Sequence, residues 1–261
     1  MFTRPRIIPV LLLDDGDLVK TVNFGKRTYL GDPVNAVKIF NRKGIDELVI
    51  LDIGATKRKR KPDMELLADI ASEAFMPLSC GGGITTVEEI RELLAAGYEK
   101  VVVNTALIHN PEMIKSAVQL FGSQSIVASI DAKAIRGGYQ CMIEDGQKVV
   151  KITPLDLAKK AEKLGVGEIL INSIDRDGMM NGYDLKLVKE VSRGVKVPVT
   201  ACGGAKGIQD LKRVIEEGAH AAAGGSMFVF YGKLKAVLIT APGEKELTEA
   251  GIYQGAEESI Y

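Results

Sequence analysis

The stretch Pro77-Leu78-Ser79-Cys80-Gly81-Gly82-Gly83-Ile84, continued by an amphipathic run to Gly97 and by Val101-Val102-Val103-Asn104-Thr105, decides the fold because it occurs twice. A shift of 121 positions carries Pro77 to Pro198, Gly82 and Gly83 to Gly203 and Gly204, Gly97 to Gly218, and Thr105 to Ser226. The same shift carries Pro33 to Pro154, Gly44 to Gly165 and Glu47 to Glu168, so half the chain is a diverged copy of the other half. Each copy reads as a buried strand, a glycine turn, a helix of period 3.6 with a glycine stop, and a second buried strand.

Working outward, residues 7–13 form a continuous apolar run that ends at the turn signal Asp14-Asp15-Gly16. Residues 17–32 are polar and too long for an ordinary strand-to-helix turn, which predicts an active-site lid. Asp32-Pro33 supplies a cap and a first-turn proline for a helix that runs to Gly44, and residues 48–53 form the second strand. Lys57-Arg58-Lys59-Arg60-Lys61 reads as a solvated basic loop, with a grip on a phosphate group as the alternative. In the second half, residues 126–130 form a strand ending at Asp131, and residues 139–152 alternate around Asp145-Gly146 as a β-hairpin. Strands at 169–173, 199–202 and 221–224 follow, separated by helices, with a last helix at 232–239. Eight strands alternating with eight helices predict an α/β protein, a (β/α)8 TIM barrel made of two half-barrels, about 1–122 and 123–240. Residues 1–240 make one barrel domain. The tail 241–261 carries Pro, Gly and several Glu, and loose order is expected there.

Composition narrows the chemistry. Thirty-four Lys and Arg balance 34 Asp and Glu in 261 residues, so no net field draws nucleic acid or an anionic membrane. The three cysteines, Cys80, Cys141 and Cys202, lack metal-ligand spacing, and with no signal peptide or spanning run a reducing cytoplasm is expected. The two histidines, His109 and His220, stand away from any nucleophile or cysteine pair, which argues against zinc and triad chemistry; no metal or cofactor is expected.

Reactive groups of such a barrel lie at the C-terminal ends of its strands. Two copies of one device stand there: Gly82-Gly83 with Asn104-Thr105, and Gly203-Gly204 with Gly225-Ser226. Bare backbone N–H groups at helix starts, each with a hydroxyl on the next strand, suit a ligand phosphorylated at both ends. The bland reading is that paired glycines only permit tight turns. Asp131, at the end of an apolar strand, is the candidate general acid or base; its bland reading is a carboxylate capping the next turn with Lys133.

Asp52, Cys80-Gly81-Gly82-Gly83-Ile84, Val103-Asn104-Thr105-Ala106, Phe121-Gly122-Ser123-Gln124, Ser129-Ile130-Asp131-Ala132-Lys133 and Ser173-Ile174-Asp175-Arg176-Asp177-Gly178 together resemble the HisF family, the cyclase subunits of imidazole glycerol phosphate synthase. The similarity runs to about Ile239. The resemblance implies a lyase-type subunit of a glutamine amidotransferase, with a HisH-like glutaminase docked on the N-terminal face as a heterodimer. Ammonia would rise along the barrel axis to a phosphorylated small molecule. Arg6, Glu47, Lys100 and Glu168 fall at the family's ammonia gate, Lys20, Asp177 and Gly178 join the phosphate-binding set, and Gln124 falls near the partner interface.

One position departs from the family. Its two aspartates close strands one and five, and this chain keeps Asp131 but has Leu12 at the other place, with Asp14 or Asp15 as possible substitutes. Ala134 follows Lys133 where cyclases usually carry Arg. This pattern resembles HisF paralogues that serve a third, ATP-dependent amidotransferase in making acetamidino sugars for surface glycans such as lipopolysaccharide. The alternatives are a working histidine-pathway cyclase and a phosphate-sugar-binding barrel without catalysis. The role of the 57–61 loop stays open between ligand and protein contact.

Overall fold

The apolar runs do what their length and β-branched content demand, and the computed structural model describes residues 4–253 around a closed parallel barrel. Its strands are β1 (Arg6–Asp14), β2 (Leu48–Asp52), β3 (Leu78–Gly81), β4 (Lys100–Val103), β5 (Ile126–Ile135), β6 (Glu168–Ser173), β7 (Val199–Cys202) and β8 (Ala221–Gly224). Each pairs with the next, and β8 closes on β1 through Ile8↔Ala223. Besides the four-residue helical turns Ala106–His109 and Ser226–Val229, the helices are α1 (Pro33–Lys43), α2 (Met64–Glu73), α3 (Val87–Ala95), α4 (Pro111–Phe121), α5 (Pro154–Leu164), α6 (Leu185–Gly194), α7 (Ile208–Glu216) and α8 (Glu244–Glu249). Their starts follow local chemistry: Asp32 accepts from Asn35 N ahead of Pro33, and Thr86 with Glu89 forms a capping box. Gly44 and Gly165 end α1 and α5 in left-handed conformation.

From α1 to β4 the half-barrel copy is close, β2 falling on β6 but for one extra residue at the start of β6, and it stops at α4, whose shifted span 232–242 holds no helix. Shifted by 121, α1, α2, α3, β3 and β4 land on α5, α6, α7, β7 and β8. The first strand follows a different shift. Leu12 pairs with Leu51 and Asp131 pairs with Asn172, while Leu51 is the counterpart of Asn172, so β1 maps onto β5 by 119. Leu12 is therefore the register equivalent of Asp131.

Two shells form the core. The outer shell, between strands and helices, includes Phe40, Ile70, Leu93 and Leu107. The inner column on the axis consists of Ile8, Val10, Val49, Val102, Val127, Leu170, Cys202, Ala221 and Ala223.

Three segments differ from the sequence reading. The 17–32 segment is an antiparallel hairpin, Asp17–Lys20 with Thr28–Gly31, joined to β1 through Leu12↔Val19. The expected 139–152 hairpin is present, but β5 runs on to Ile135 and pairs with Gly138–Ile143 before Lys148–Val150 adds a third strand. No helix forms at 232–239; Phe230–Tyr231 pairs with Ala236–Val237 instead. Gly232 is left-handed (φ 71°), and the run Val237-Leu238-Ile239-Thr240 favours strand over helix. The eighth helix comes later, within the tail: α8 and the chain after it bury Leu247, Ile252 and Tyr253, so loose order does not describe 241–253. Residues 254–261 of the predicted tail lie outside the described residues. No described helix is long and apolar enough to cross a membrane.

Candidate functional site

The floor of the barrel is a four-charge network. Arg6 on β1 bonds both Glu47, just before β2, and Glu168 at the start of β6, the latter at 2.7 Å. Lys100 Nζ on β4 reaches Glu47 at 2.8 Å and Glu168 at 3.0 Å. Ser79 Oγ donates to Glu47 at 2.6 Å, and Thr200, its counterpart under the 121 shift, donates to Glu168. Burial alone would raise the Glu168 carboxyl, but the hydrogen bond and charge of Arg6, with Lys100 and Thr200, outweigh it and hold the group below its ordinary value. Such a cluster is tolerable at the floor because every charge has two opposite partners. Across the seam between half-barrels Arg6 pairs in register with Ala221.

Over the floor a small void is lined by Glu47, Ser79, Glu168 and Thr200 of the network below and by Ile8, Val49, Val102, Val127 and Leu170 above. Val102 and Leu170 also line the cavity of about 130 Å³ at the C-terminal mouth. The charged floor, the apolar column and the mouth thus share one axis.

In that mouth Asp131 and Leu12 take equivalent places with opposite chemistry. Asp131 is flanked by two amides, Asn104 Nδ2 at 3.3 Å and Asn172 Nδ2 at 3.4 Å. Burial pushes its carboxyl up to about 7, against the Asn172 hydrogen bond, with Asp145 and Asp177 adding to the rise. Around Leu12 the counterparts of those amides are Leu51 and Gly225, and neither offers a side-chain hydrogen bond. Asp14 is turned to other partners. It lies outside the cavity lining, bonded to Arg27 and Arg58, and these outweigh its burial and hold it below the usual carboxylate range. Asp15 is exposed in the turn. The bland reading of Asp131 as a cap with Lys133 has no contact behind it, since both Asp131 oxygens face the amides.

The two glycine devices are unequal. Gly82 and Gly83 line the cavity, with Asn104 and Thr105 beside them. A Cβ on Gly82 (φ 110°) would meet Asp52 O at 2.2 Å, so the turn itself requires glycine there. In the second device only Gly225 reaches the cavity, and Gly203 and Gly204 lie behind it. Gly204 (φ 108°) has the same steric need, against Gly182 O at 2.2 Å. Ser226 Oγ is buried with no partner among the described residues. Buried Lys20 lies along Gly225 and donates to Asp177 Oδ1 at 2.8 Å, while Thr21 Oγ1 donates to Asp177 Oδ2 at 2.8 Å. Gly178 packs against Thr21 O, where any side chain would collide.

The basic loop is only partly a solvated loop. Arg60 bonds Asp52 at 2.8 Å and Arg58 bonds Asp14, while Lys57, Lys59 and Lys61 are exposed. Arg27 from the first hairpin joins Asp14 to Asp145 of the second, the latter at 2.9 Å, across the cavity mouth. Arg27, Asp145, Ser79, Thr200 and Asn172 were not singled out from sequence. Ser79 and Thr200 carried a signal, a hydroxyl repeated at the 121 shift; Arg27 and Asp145 carried none, because loop-to-loop contacts have no period. Gln124 sits exposed after α4, its amide donating to Phe121 O. Among the described residues no cluster of His, Cys, Asp and Glu is arranged to hold a metal.

Fold and site define a class: duplicated half-barrels with an ion-paired floor and an open cavity at the C-terminal mouth. Residues 6–235 match the model of a family described as histidine biosynthesis protein. A Pseudomonas aeruginosa protein described as "Putative imidazole glycerol phosphate synthase subunit hisF2" is 48% identical over 246 residues, covering 94% of this chain and 98% of its own length. A Vibrio vulnificus protein with the corresponding description hisF3 is 45% identical over 250 residues, covering 95% and 96%. The imidazole glycerol phosphate synthase subunit HisF of Natranaerobius thermophilus is 43% identical over 226 residues, covering 86% and 90%. The chain belongs to the HisF family.

Proposed function

We propose that this chain is the synthase subunit of a glutamine amidotransferase whose barrel delivers ammonia, made by a glutaminase at the N-terminal face, to chemistry at the C-terminal mouth. The observation that carries this reading is the shared axis: a fully paired Arg6–Glu47–Lys100–Glu168 floor, an apolar column, and Val102 and Leu170 common to the void above the floor and the mouth. An apolar column suits neutral ammonia and excludes ammonium, whose desolvation is costly. The partners are a HisH-like glutaminase and, in the finer reading, a third ATP-dependent enzyme that places the nitrogen on an acetamidino sugar. Leu12 supports that finer reading. With Leu51 and Gly225 around it, half of a two-carboxylate proton-transfer pair is missing, a loss of about two to four orders of magnitude in a cyclisation rate.

The gate is Arg6, Glu47, Lys100 and Glu168. The phosphorylated ligand is held by Gly82, Gly83, Asn104 and Thr105 at one end and by Gly225, Ser226, Lys20 and Gly178 at the other, where Asp177 fixes Lys20 and Gly203 and Gly204 shape the turn behind. The orphaned Ser226 hydroxyl and the Lys20 ammonium supply a donor and a positive charge at the second end. One observation favours a second reading, a retained histidine-pathway cyclase: the Asp131 carboxyl, pushed up to about 7, remains suited to proton transfer at neutral pH.

A cyclase assay with the bisphosphorylated histidine-pathway intermediate and excess ammonium separates the two. Ammonia delivery without cyclisation expects no turnover by the natural chain and measurable turnover by Leu12→Asp. Cyclase-like turnover by the natural chain would establish the second reading instead.

A further inference from the structure

We infer that the C-terminal segment ending at Tyr253 is a strap that positions the Arg6 side of the barrel floor, with Asp46 as the buckle. The β1–β2 ladder begins only at Val10↔Val49, so the entry of β1, which carries Arg6, has no backbone partner on β2. Asp46, the residue before Glu47, supplies the missing link: its Oδ2 accepts from Ile7 N at 2.8 Å. Two side chains then fix that carboxylate. Arg4 donates to Oδ1 at 3.2 Å, Tyr253 OH donates to Oδ2, and the Arg4 guanidinium lies 3.7 Å over the Tyr253 ring.

Arg4 also reaches Glu244 at 3.1 Å, at the start of α8, so the strap is tied at both of its ends. Leu247 and Ile252, buried between those ends, seat it on the barrel. Burial and the neighbouring carboxylate push the Tyr253 phenol above its ordinary value, so it donates throughout the neutral range. The chain of contact runs from Tyr253 through Asp46 to Ile7 N, directly after Arg6, and Glu47 directly follows Asp46. One carboxylate thereby sets the spacing of the two strands whose side chains make the Arg6–Glu47 pair. Neither Tyr253 nor Asp46 lines the mouth cavity; they are positioning residues.

The inference rests on the ammonia-delivery reading for its consequence, though its geometry can be tested alone. The full-length chain carrying Tyr253→Phe, which keeps the ring beneath Arg4 and removes only the hydroxyl, is compared with the natural chain and with Lys100→Ala. The first measurement is amide hydrogen exchange. Exchange at Ile7 should accelerate about tenfold, the effect of losing a hydrogen bond to a charged acceptor, while Leu11 and Leu13 stay unchanged. An unchanged Ile7 overturns the strap.

The second measurement is the fraction of glutamine-derived ammonia that escapes to bulk solution in the complex with the glutaminase. Tyr253→Phe should raise the escape and leave ammonia use from added ammonium unaltered, whereas a general folding defect would lower that use as well. Escape that rises in Lys100→Ala but not in Tyr253→Phe also overturns the strap. If Lys100→Ala itself raises no escape, the delivery reading fails, and Ile7 exchange alone decides whether the strap exists.

Discussion

At the scale of single residues, the mouth contrasts one carboxylate among amides with one leucine among apolar neighbours. Asp131 sits where burial outweighs hydrogen bonding and raises its pKa to about 7. The sign of the consequence is fixed. A folded-state value above the unfolded one means the stabilising contribution is complete below about pH 4 and is lost as pH rises through about 7. Asp131→Asn, which cannot ionise, should match the natural chain near pH 4 and exceed it by on the order of 3 kcal/mol near pH 8. Denaturant unfolding at both pH values checks this; a gain independent of pH would place the Asp131 carboxyl in the ordinary range. Asp131 and Leu12 were legible in the sequence because a strand terminus and a motif fix them. Asn172 was not, since its importance depends on β6 lying beside β5 in a register that only the closed barrel defines.

At the scale of elements, two hairpins fold over the cavity and one arginine holds them together. Arg27 bonds Asp14 and Asp145, and Phe24 of the first hairpin lies against Gly146 of the second. The lid expected at 17–32 thus has regular structure, and its partner is the second hairpin. Arg27→Ala should leave the barrel intact and loosen both arms. Amides in 17–31 and 138–150 would exchange about tenfold faster, while those of β2 and β6 hold. Salt at 0.5 M should reproduce only part of this, because Arg27 is 24% exposed and its partners 14% and 10%, and partly buried pairs are weakly screened. Equal exchange in the variant would show that the ladders to β1 and β5 hold the arms unaided. The helix expected at 232–239 fails to form for a related reason. Residues 232–239 have a helix-like apolar spacing, but Gly232 and the β-branched run after it favour a two-stranded turn, and local pattern could not weigh the two.

At the scale of the whole molecule, the duplication was legible because prolines and glycines mark helix starts and stops at a constant shift. The two-residue change of shift at β1 was not, because no such marker lies within an apolar strand. That duplication leaves a testable symmetry on the floor. Glu47 with Ser79 and Glu168 with Thr200 are copies, yet the cations between them, Arg6 and Lys100, belong to the first half alone and are shared by both carboxylates. Ser79→Ala and Thr200→Val each delete one hydroxyl donor to a buried carboxylate with little change of volume, so each should cost about 1.5–3 kcal/mol. Symmetry requires the two costs to agree within about 0.5 kcal/mol, the spread expected of independent equivalent sites. The double variant should depart from their sum by more than that, because Arg6 and Lys100 can shift toward whichever glutamate has lost its hydroxyl. Strict additivity in denaturant unfolding would mean that the cations are held rigidly by their own strands and that the floor is two separate ion pairs; coupling would mean that one network spans both half-barrels.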